Sequence, residues 1–229
     1  MKRIFSILAL ASLASPAFAA IYVAGDFNGW NAAGNMMTEI APGIHQVSLT
    51  SVGAGRHEYK VTDGTWSWNY PGPNSWFYAD AEGNITLTFD SNTYADGWLS
   101  ASQRLGQSVD PGSWVAVGDW QGWNNANPAT AMVSQGGGIY LYQQVITPPG
   151  THEWKAVVSG TWDSISWDNR SVSTANYAFT TTETDNVVRF WVNATNGTAR
   201  VEVVPEPSAL ALAGSALVMG LARRRRTKE

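Results

Sequence analysis

Tryptophan, lysine and glycine recur in the sequence at matched spacing, and the first two are residue types that suit the recognition of sugars. The hexapeptide GDFNGW (25 to 30) returns as GDWQGW (118 to 123), and GRHEYK (55 to 60) returns as GTHEWK (150 to 155). A flat indole can cover the apolar C–H face of a pyranose, while amine and amide groups bond its hydroxyl edge. Lys60 and Lys155 are the only lysines between residues 21 and 204, and they occupy equivalent places in the two copies.

The two copies extend over most of the chain. The tripeptide GTW occurs in both, at 64 to 66 and at 160 to 162, and the offset between the copies grows from 93 to 96 residues along the alignment. Such drift is typical of loop insertions between conserved strand positions within a repeat. We therefore predict two homologous modules, at residues 21–99 and 113–204, joined by a polar linker at residues 100–112.

Local patterns within each module indicate strands and turns. Short runs such as HEYKVT and HEWKAVV are rich in β-branched and aromatic residues and are bounded by Gly, Pro, Asn and Asp. Several such strands in succession favour an all-β fold and a β-sandwich. Strand alternation puts Tyr59 on the opposite face from Glu58 and Lys60. If Tyr59 and Trp154 are core residues, Lys60 and Lys155 point outward.

Both ends of the chain have the features of targeting segments. Residues 1–20 begin with Lys2 and Arg3, continue with an apolar run and end on Ala-Phe-Ala, which predicts a secretory signal peptide. Residues 205–229 combine a Pro-Glu-Pro motif, an apolar stretch and an arginine cluster. The residues of the two motifs are Pro205, Glu206, Pro207, Arg223, Arg224, Arg225 and Arg226.

This C-terminal segment resembles the PEP-CTERM sorting signal of Gram-negative bacteria. The resemblance implies a hydrophobic sorting helix that holds the chain in the inner membrane until an exosortase-type protease removes it. The mature protein would then be exported across the inner membrane and lie at the cell surface or outside the cell. A permanent C-terminal anchor is the alternative.

Charge and composition exclude several function classes. Between residues 21 and 204 the chain has seven basic and sixteen acidic residues, a net charge of −9. This argues against nucleic acid as a partner, because phosphate binding needs a basic surface. The chain has no cysteine, so neither core is supported by a disulfide. Its three histidines form no pattern of metal ligands, and we expect neither a metal nor a cofactor.

The order of the repeated motifs resembles carbohydrate-binding module family 48. This family includes the glycogen-binding module of the AMP-activated kinase β subunit and the modules that precede pullulanase catalytic domains. The motifs are G-D-[FW]-x-G-W, G-x-H-E-[YW]-K, G-T-W and an Asn before a final strand, in this order and twice over. The resemblance implies two immunoglobulin-like β-sandwich modules in tandem. It also implies a glucan site of two tryptophans, a lysine and an asparagine in each module: Trp30, Lys60, Trp66 and Asn84, then Trp123, Lys155, Trp162 and Asn186.

Each of these residues also has a plainer structural interpretation. Trp30 and Trp123 close a glycine-containing turn and could plug the end of a sandwich instead. Asn84 and Asn186 could simply end turns. Phe27 and Trp120 are expected in the core, whereas Trp68, Trp76 and Trp167 are further candidates for an aromatic surface.

Three function classes compete on this sequence. The leading hypothesis is a non-catalytic exported protein that binds α-glucan, such as starch or glycogen, or a cell-surface exopolysaccharide. The second is a structural envelope or matrix protein whose tryptophans anchor contacts with other proteins. The third is a glycoside hydrolase, which needs two carboxylates at a defined separation. Asp26 and Asp119 repeat in both modules, as turn-forming acids would, and a catalytic pair is usually assembled once in a cleft, so we expect no catalytic residues.

Overall fold

The chain folds as an all-β protein, which confirms the predicted class. The computed structural model describes residues 20–166, 169–172 and 175–205. The described residues form seventeen strands and three short 3-10 helices, at Asp26–Asn28, Asp119–Gln121 and Pro128–Thr130, and none of them lies in an α-helix. The predicted signal peptide and C-terminal apolar stretch fall outside the described residues, apart from Ala20 and Pro205. Within the described part of the chain, no helix is long and apolar enough to cross a membrane.

The first module contains two antiparallel four-stranded sheets around one core. Its strands are β1 (Tyr22–Gly25), β2 (Asn35–Met36), β3 (Thr38–Ala41), β4 (Ile44–Leu49), β5 (Gly55–Thr62), β6 (Asn69–Ala79), β7 (Ile85–Thr93) and β8 (Ser102–Gln107). Sheet 1 has the order β2-β1-β5-β6 and sheet 2 the order β3-β4-β7-β8. Tyr59 and Phe77 of sheet 1 pack with Leu87 and Leu105 of sheet 2 in the same buried cluster.

The second module repeats this arrangement. Its strands are β9 (Trp114–Gly118), β10 (Val133–Gly136), β11 (Ile139–Val145), β12 (Gly150–Val158), β13 (Ser164–Ser166), β14 (Asn169–Ser171), β15 (Tyr177–Thr181), β16 (Val187–Asn193) and β17 (Thr198–Val204). Sheet 3 has the order β10-β11-β16-β17, and sheet 4 the order β14-β13-β12-β15 with β9 also paired to β12. Trp154 of sheet 4 and Phe190 of sheet 3 share one core. Tyr59 and Trp154 are both buried, which is the condition on which the outward direction of Lys60 and Lys155 depends.

Much of the segment expected to be a linker is part of the first module. Strand β8 lies within residues 100–112 and pairs with β7 from Leu87↔Gln107 to Thr93↔Ser102. The reason is apolar burial: Leu105 is fully buried in the core of the first module. Only residues 108–113 connect the last strand of one module to the first strand of the next.

The two modules are packed firmly against each other. Trp76 of β6 is fully buried, and it lies in the core cluster of the second module. Its ring centre is 6.1 Å from that of Trp114, and its indole Nε1 donates to the carbonyl of Ser164 at 3.2 Å. The prediction that Trp76 belongs to an exposed aromatic surface is therefore wrong, because the neighbouring module covers the face of β6 on which it lies.

Charged side chains complete the joint between the modules. Arg56 Nε donates to both carboxylate oxygens of Asp163, at 2.9 and 2.8 Å, and the Tyr78 hydroxyl donates to the same carboxylate at 2.8 Å. The fully buried Arg170 lies over the Trp76 ring at 4.7 Å. Burial lowers the pKa of Arg170 to about 10.

The four sheets close into a ring with a propeller-like outline. Sheets 1 and 2 share one core, and sheets 3 and 4 share the other. Sheet 1 meets sheet 4 where Val172, just beyond β14, donates its backbone N–H to the carbonyl of Asn74 in β6, at 2.9 Å. Sheet 2 meets sheet 3 where Gln107 donates its backbone N–H to the carbonyl of Thr195, at 3.0 Å. The two modules therefore hold a fixed relative position.

Candidate functional site

The hexapeptide that opens the first module forms a tight turn fastened to β5. Gly25 begins it, because a Cβ at this position would lie 2.4 Å from both the Phe27 ring and the Glu58 carbonyl. One carboxylate oxygen of Asp26 lies 2.8 Å from His57 Nδ1, and the other accepts the backbone N–H of Glu58 at 3.0 Å. The acid and the histidine therefore fix the direction in which the turn presents its last residue.

The second module builds the same turn from the same parts. The carboxylate of Asp119 lies 3.2 and 3.3 Å from His152 Nδ1. Gly29 and Gly122 follow the two 3-10 helices in the left-handed region, with φ of 66° and 71°. The repeated histidines and acids thus have a structural role. Among the described residues, no group of three His, Asp or Glu side chains is placed to hold a metal ion.

Three of the four tryptophans of the implied sites have a strained backbone. Trp30, Trp66 and Trp123 adopt φ of 61°, 67° and 58°, a region that bulky side chains rarely enter. Among the described residues, Ser51 and Gln103 are the other non-glycine residues with positive φ. Such strain costs about 1–3 kcal/mol per residue and clusters at binding sites. The backbone therefore favours a binding role for these rings over simple packing.

Trp30 and Trp66 form the first aromatic surface. Their ring centres are 6.4 Å apart, and their planes make an angle of 38°. Trp66 is 38% exposed, while Trp30 is half-buried. The structure brings these two residues together, as the family resemblance implies, at the end of β5 where the loop to β6 begins.

Lys60 lies beside this surface, but its donors are already used. Its ammonium donates to Asn69 Oδ1 at 3.0 Å, to the carbonyl of Pro71 at 2.8 Å and to the carbonyl of Gly72. A lysine has three donors and no acceptor, so this set leaves no N–H for a ligand. Burial lowers the pKa of Lys60. Lys60 therefore holds the start of β6 in place next to Trp66 and acts as a positioning residue.

The second candidate aromatic surface is the outer face of sheet 4, where Trp162 lies beside Lys155 and Trp123 packs on the valines of the same face. Trp162 is 51% exposed, and Lys155 Nζ lies 5.6 Å from its ring centre, within cation–π range. Lys155 points to the outer face as predicted, but it is only 6% exposed, and burial lowers its pKa. Trp123 packs on three buried valines of β9 and β12: Val115, Val117 and Val157.

Asn84 and Asn186 lie at the opposite end of their modules from the aromatic surfaces. Asn84 closes a turn in which its backbone N–H donates to Asp80 Oδ1 at 2.7 Å. This turn follows the end of β6 that pairs with Gly55, whereas Trp66 follows Thr62 at the other end of β5. Seven residue steps along a strand span about 23 Å. Asn186 is buried and is placed in the same way, near the Gly150 end of β12, so the structure does not bring either asparagine to the tryptophans.

Two other asparagines bond the glutamates that lie two residues before the lysines, and the sequence patterns did not single them out. Asn74 Nδ2 donates to Glu58 Oε2 at 2.8 Å, and Asn176 Nδ2 donates to Glu153 Oε2 at 3.0 Å. Asn74 precedes Ser75, which pairs with Tyr59, and Asn176 precedes Tyr177, which pairs with Trp154. Each asparagine therefore contacts the strand that carries a lysine through the glutamate two residues before that lysine. The tetrapeptides NSWF (74 to 77) and NYAF (176 to 179) share the pattern N-x-x-F, a signal that could have found them.

Of the remaining tryptophan candidates, Trp68 belongs to the described residues and Trp167 does not. Trp68 is 36% exposed and packs 5.9 Å from Phe89, measured between ring centres. Trp167 lies outside the described residues. In the second module, two indoles, an amide and a carboxylate lie on the side of sheet 4 that carries Lys155, a combination suited to a neutral polyhydroxylated ligand. In the first module, Glu58 pairs with Trp76 and therefore lies at the joint between the modules.

Comparison with known proteins identifies the C-terminal segment. Residues 203–226 match the PEP-CTERM protein-sorting motif, which confirms the predicted sorting tail and indicates an exported protein. No curated protein matches the chain. Two solved structures resemble it remotely.

The first is SusF from Bacteroides thetaiotaomicron, with 14% identity and a TM-score of 0.33 over 82% of this chain and 49% of that one. The second is the pullulanase from Bacillus acidopullulyticus, with 14% identity and a TM-score of 0.31 over 82% of this chain and 28% of that one. This chain therefore spans about half the length of the first and under a third of the second, and the likeness is too remote to transfer a function.

Proposed function

We propose that this protein is a non-catalytic, exported carbohydrate-binding protein whose ligand is an α-glucan or a cell-surface exopolysaccharide. The observation that carries the proposal is the pair of aromatic surfaces. Each surface contains indole rings at the end of a turn or loop that is held by hydrogen bonds. Three of the four tryptophans have a strained backbone. A fold that needed these tryptophans only for packing would gain nothing from that strain.

The physical chemistry of the two surfaces supports a sugar ligand. The exposed faces of Trp66 and Trp162 can lie flat against the C–H face of a pyranose. In the second module the side chains of Asn176 and Glu153 offer donors and acceptors for the hydroxyl edge. In the first module both carboxylate oxygens of Glu58 are already bonded, by Arg56 at 3.0 Å and by Asn74 at 2.8 Å. Because Lys60 is saturated by protein oxygens, we assign polar recognition to Asn176 and Glu153 of the second module.

We further propose that each module is an immunoglobulin-like β-sandwich of the kind found in carbohydrate-binding module family 48. The support is the order of the repeated motifs and the enclosure of each core by two antiparallel sheets. The fixed joint between the modules adds a functional consequence. Two weak surfaces on one rigid body strengthen binding to a repeating polymer when both engage the same chain.

The proposal is tested by affinity electrophoresis of the exported protein. Starch, glycogen and the exopolysaccharide of the host are each embedded in a native gel, and a gel without polymer is the reference. We expect at least one polymer to retard the protein in proportion to its concentration. Migration that is unchanged in all three polymers would contradict the proposal.

The absence of catalysis is part of the same proposal. Asp26 and Asp119 are each engaged by a histidine, which supports a structural role for the acids that repeat between the modules. Incubation of the protein with each polymer, followed by measurement of new reducing ends, tests this point. We expect no increase over the polymer alone, and a steady release of reducing ends would identify a hydrolase.

A structural role in the envelope is the second candidate, and exposed edge strands favour it. Met36, Ile40 and Val133 are 60%, 56% and 66% exposed, and they lie on the edge strands β2, β3 and β10. Exposed apolar edges are sites at which other chains pair. Analytical ultracentrifugation separates the candidates, because an oligomer that grows with concentration and ignores sugars would favour the structural role.

The sorting motif also leads to a specific proposal about processing. We propose that an exosortase-type protease removes the C-terminal segment after export and releases the body from the inner membrane. Intact-mass measurement of the protein from the cell surface or medium tests this directly. A mass that includes the four arginines at 223 to 226 would instead indicate a permanent anchor.

A further inference from the structure

A cavity of about 350 Å³ opens at one end of the first module, beside the loop that carries Trp66. Trp68 and Phe89 form its aromatic wall, and His45, Asp63 and Gln103 supply polar groups. Ile21 completes the lining on the side of sheet 1. A volume of roughly 300–1,000 Å³ and an aromatic wall with a few polar groups are typical of ligand pockets.

The second module fills the equivalent positions with larger side chains. The offset of 93 residues that relates the two hexapeptides aligns Ile21 with Trp114, and the offset of 95 residues that follows aligns His45 with Tyr140. Trp114 and Tyr140 are both buried, with ring centres 6.5 Å apart. The Tyr140 hydroxyl donates to Asp110 Oδ2 at 2.7 Å. In the second module, Trp114 and Tyr140 therefore fill the space that corresponds to the cavity. In the first module, the smaller Ile21 and His45 leave the cavity open.

His45 is the unusual member of the cavity. His45 is 6% exposed. Its imidazole stacks on the Phe89 ring, with 6.4 Å between the ring centres. No described residue forms a hydrogen bond with its imidazole. Neither ring nitrogen is a buried unpaired atom, so both reach the space of the cavity that His45 lines. A ligand hydroxyl in the cavity can therefore bond the imidazole.

We propose that this cavity binds a single sugar ring, at the end or at a branch of the polysaccharide. Trp68 lies against the face of the ring, and the His45 imidazole bonds one of its hydroxyls. This inference rests on the proposed function and names a third place of contact. The loop between β5 and β6 links it to the first aromatic surface, because Trp66 and Trp68 are two residues apart.

That loop is held in a defined shape by one carboxylate. Asp63 Oδ1 accepts the backbone N–H of Thr65 at 2.9 Å, and Oδ2 accepts that of Trp68 at 3.1 Å. The same N–H groups lower the pKa of the Asp63 carboxyl. The cavity and the first aromatic surface therefore keep a fixed spacing, as recognition of two sugar units of one polymer requires.

The test uses the exported protein labelled with 5-fluorotryptophan and titrated with maltotriose, isomaltotriose and cellotriose. The Trp68 resonance is assigned with Trp68→Phe. We expect it to shift in a saturable way with at least one trisaccharide. In the double variant Ile21→Trp with His45→Tyr, which copies the second module, we expect the affinity reported by Trp68 to fall at least tenfold. The variant Ile40→Trp, an exposed position on the same module, is the control and keeps the wild-type shift.

The outcomes separate this inference from the proposed function. A Trp68 resonance that does not move, or that moves equally in the double variant, would overturn the cavity site even if Trp66 and Trp162 respond. Trp66 and Trp162 resonances that stay fixed while Trp68 responds would overturn the aromatic surfaces and leave the cavity site standing. Should the double variant unfold, His45→Phe removes the hydrogen bond alone, and an unchanged affinity in that variant would overturn the role of His45.

Discussion

The exposed face of Trp162 allows the cost of its removal to be worked out before any binding experiment. An aromatic side chain buries at most ~250 Å², and Trp162 is 51% exposed, so roughly 125 Å² is accessible. A sugar ring covers one face, or about half of that area. At ~25 cal/mol per Å² the contact contributes ~1.5 kcal/mol, which is about tenfold in Kd. The same reasoning for Trp66, which is 38% exposed, gives ~1.2 kcal/mol or about sevenfold.

Alanine variants of these two residues test that magnitude. The surfaces belong to different modules and share no side-chain contact in the described structure, so their free energies should add. We expect the double variant Trp66→Ala with Trp162→Ala to bind the retained polymer about seventyfold more weakly than the wild type in isothermal titration calorimetry. Trp98→Ala, which removes a partly buried tryptophan outside both surfaces, is the control. A double variant within twofold of the wild type, with its fold intact by circular dichroism, would refute the reasoning.

Three further predictions concern stability. The buried carboxylate of Asp163 accepts hydrogen bonds from Arg56 and Tyr78 across the joint. Asp163→Ala should therefore lower the free energy of unfolding, measured by urea denaturation, by ~2–3 kcal/mol. A loss below ~0.5 kcal/mol would show that this group does not hold the joint. Burial and Asp163 raise the pKa of Tyr78 to about 12. The contribution of Tyr78 to the free energy of unfolding is therefore present below pH ~10 and is lost as the pH rises towards ~12. Because Tyr78 is partly exposed, the loss should be about 1 kcal/mol. The difference in unfolding free energy between wild type and Tyr78→Phe should therefore shrink over that range, and a constant difference would contradict the shift. Because Trp66 has φ of 67°, Trp66→Gly should be more stable than Trp66→Ala by ~1 kcal/mol, and the reverse order in thermal unfolding would show that the position is not strained.

The repeat in the sequence predicted the fold class and much of each core, because strand alternation depends only on local spacing. Alternation separated Tyr59 from Glu58 and Lys60, and Tyr59 and its counterpart Trp154 are the residues that are buried. The burial of Trp76 could not be predicted in this way, because Trp76 lies on the outer face of its own sheet and is covered only by the second module. Strand periodicity shows which way a side chain points and does not show what packs against it.

The candidate site was predicted in part for a similar reason. The motif order placed Trp30 next to Trp66 and Lys155 next to Trp162. It could not show that three oxygens saturate Lys60, because two of them are backbone carbonyls. Nor could the motif order find Asn74, whose contact with Glu58 follows from the pairing of β5 with β6.

The most direct test of the central claim is ¹⁹F NMR of the exported protein labelled with 5-fluorotryptophan, in the presence of the polymer that retards it. The account predicts that the resonances of Trp30, Trp66, Trp123 and Trp162 shift as polymer is added, while those of the buried Trp76, Trp114 and Trp154 stay in place. Shifts confined to tryptophans outside the two aromatic surfaces, or no shift at all, would contradict it.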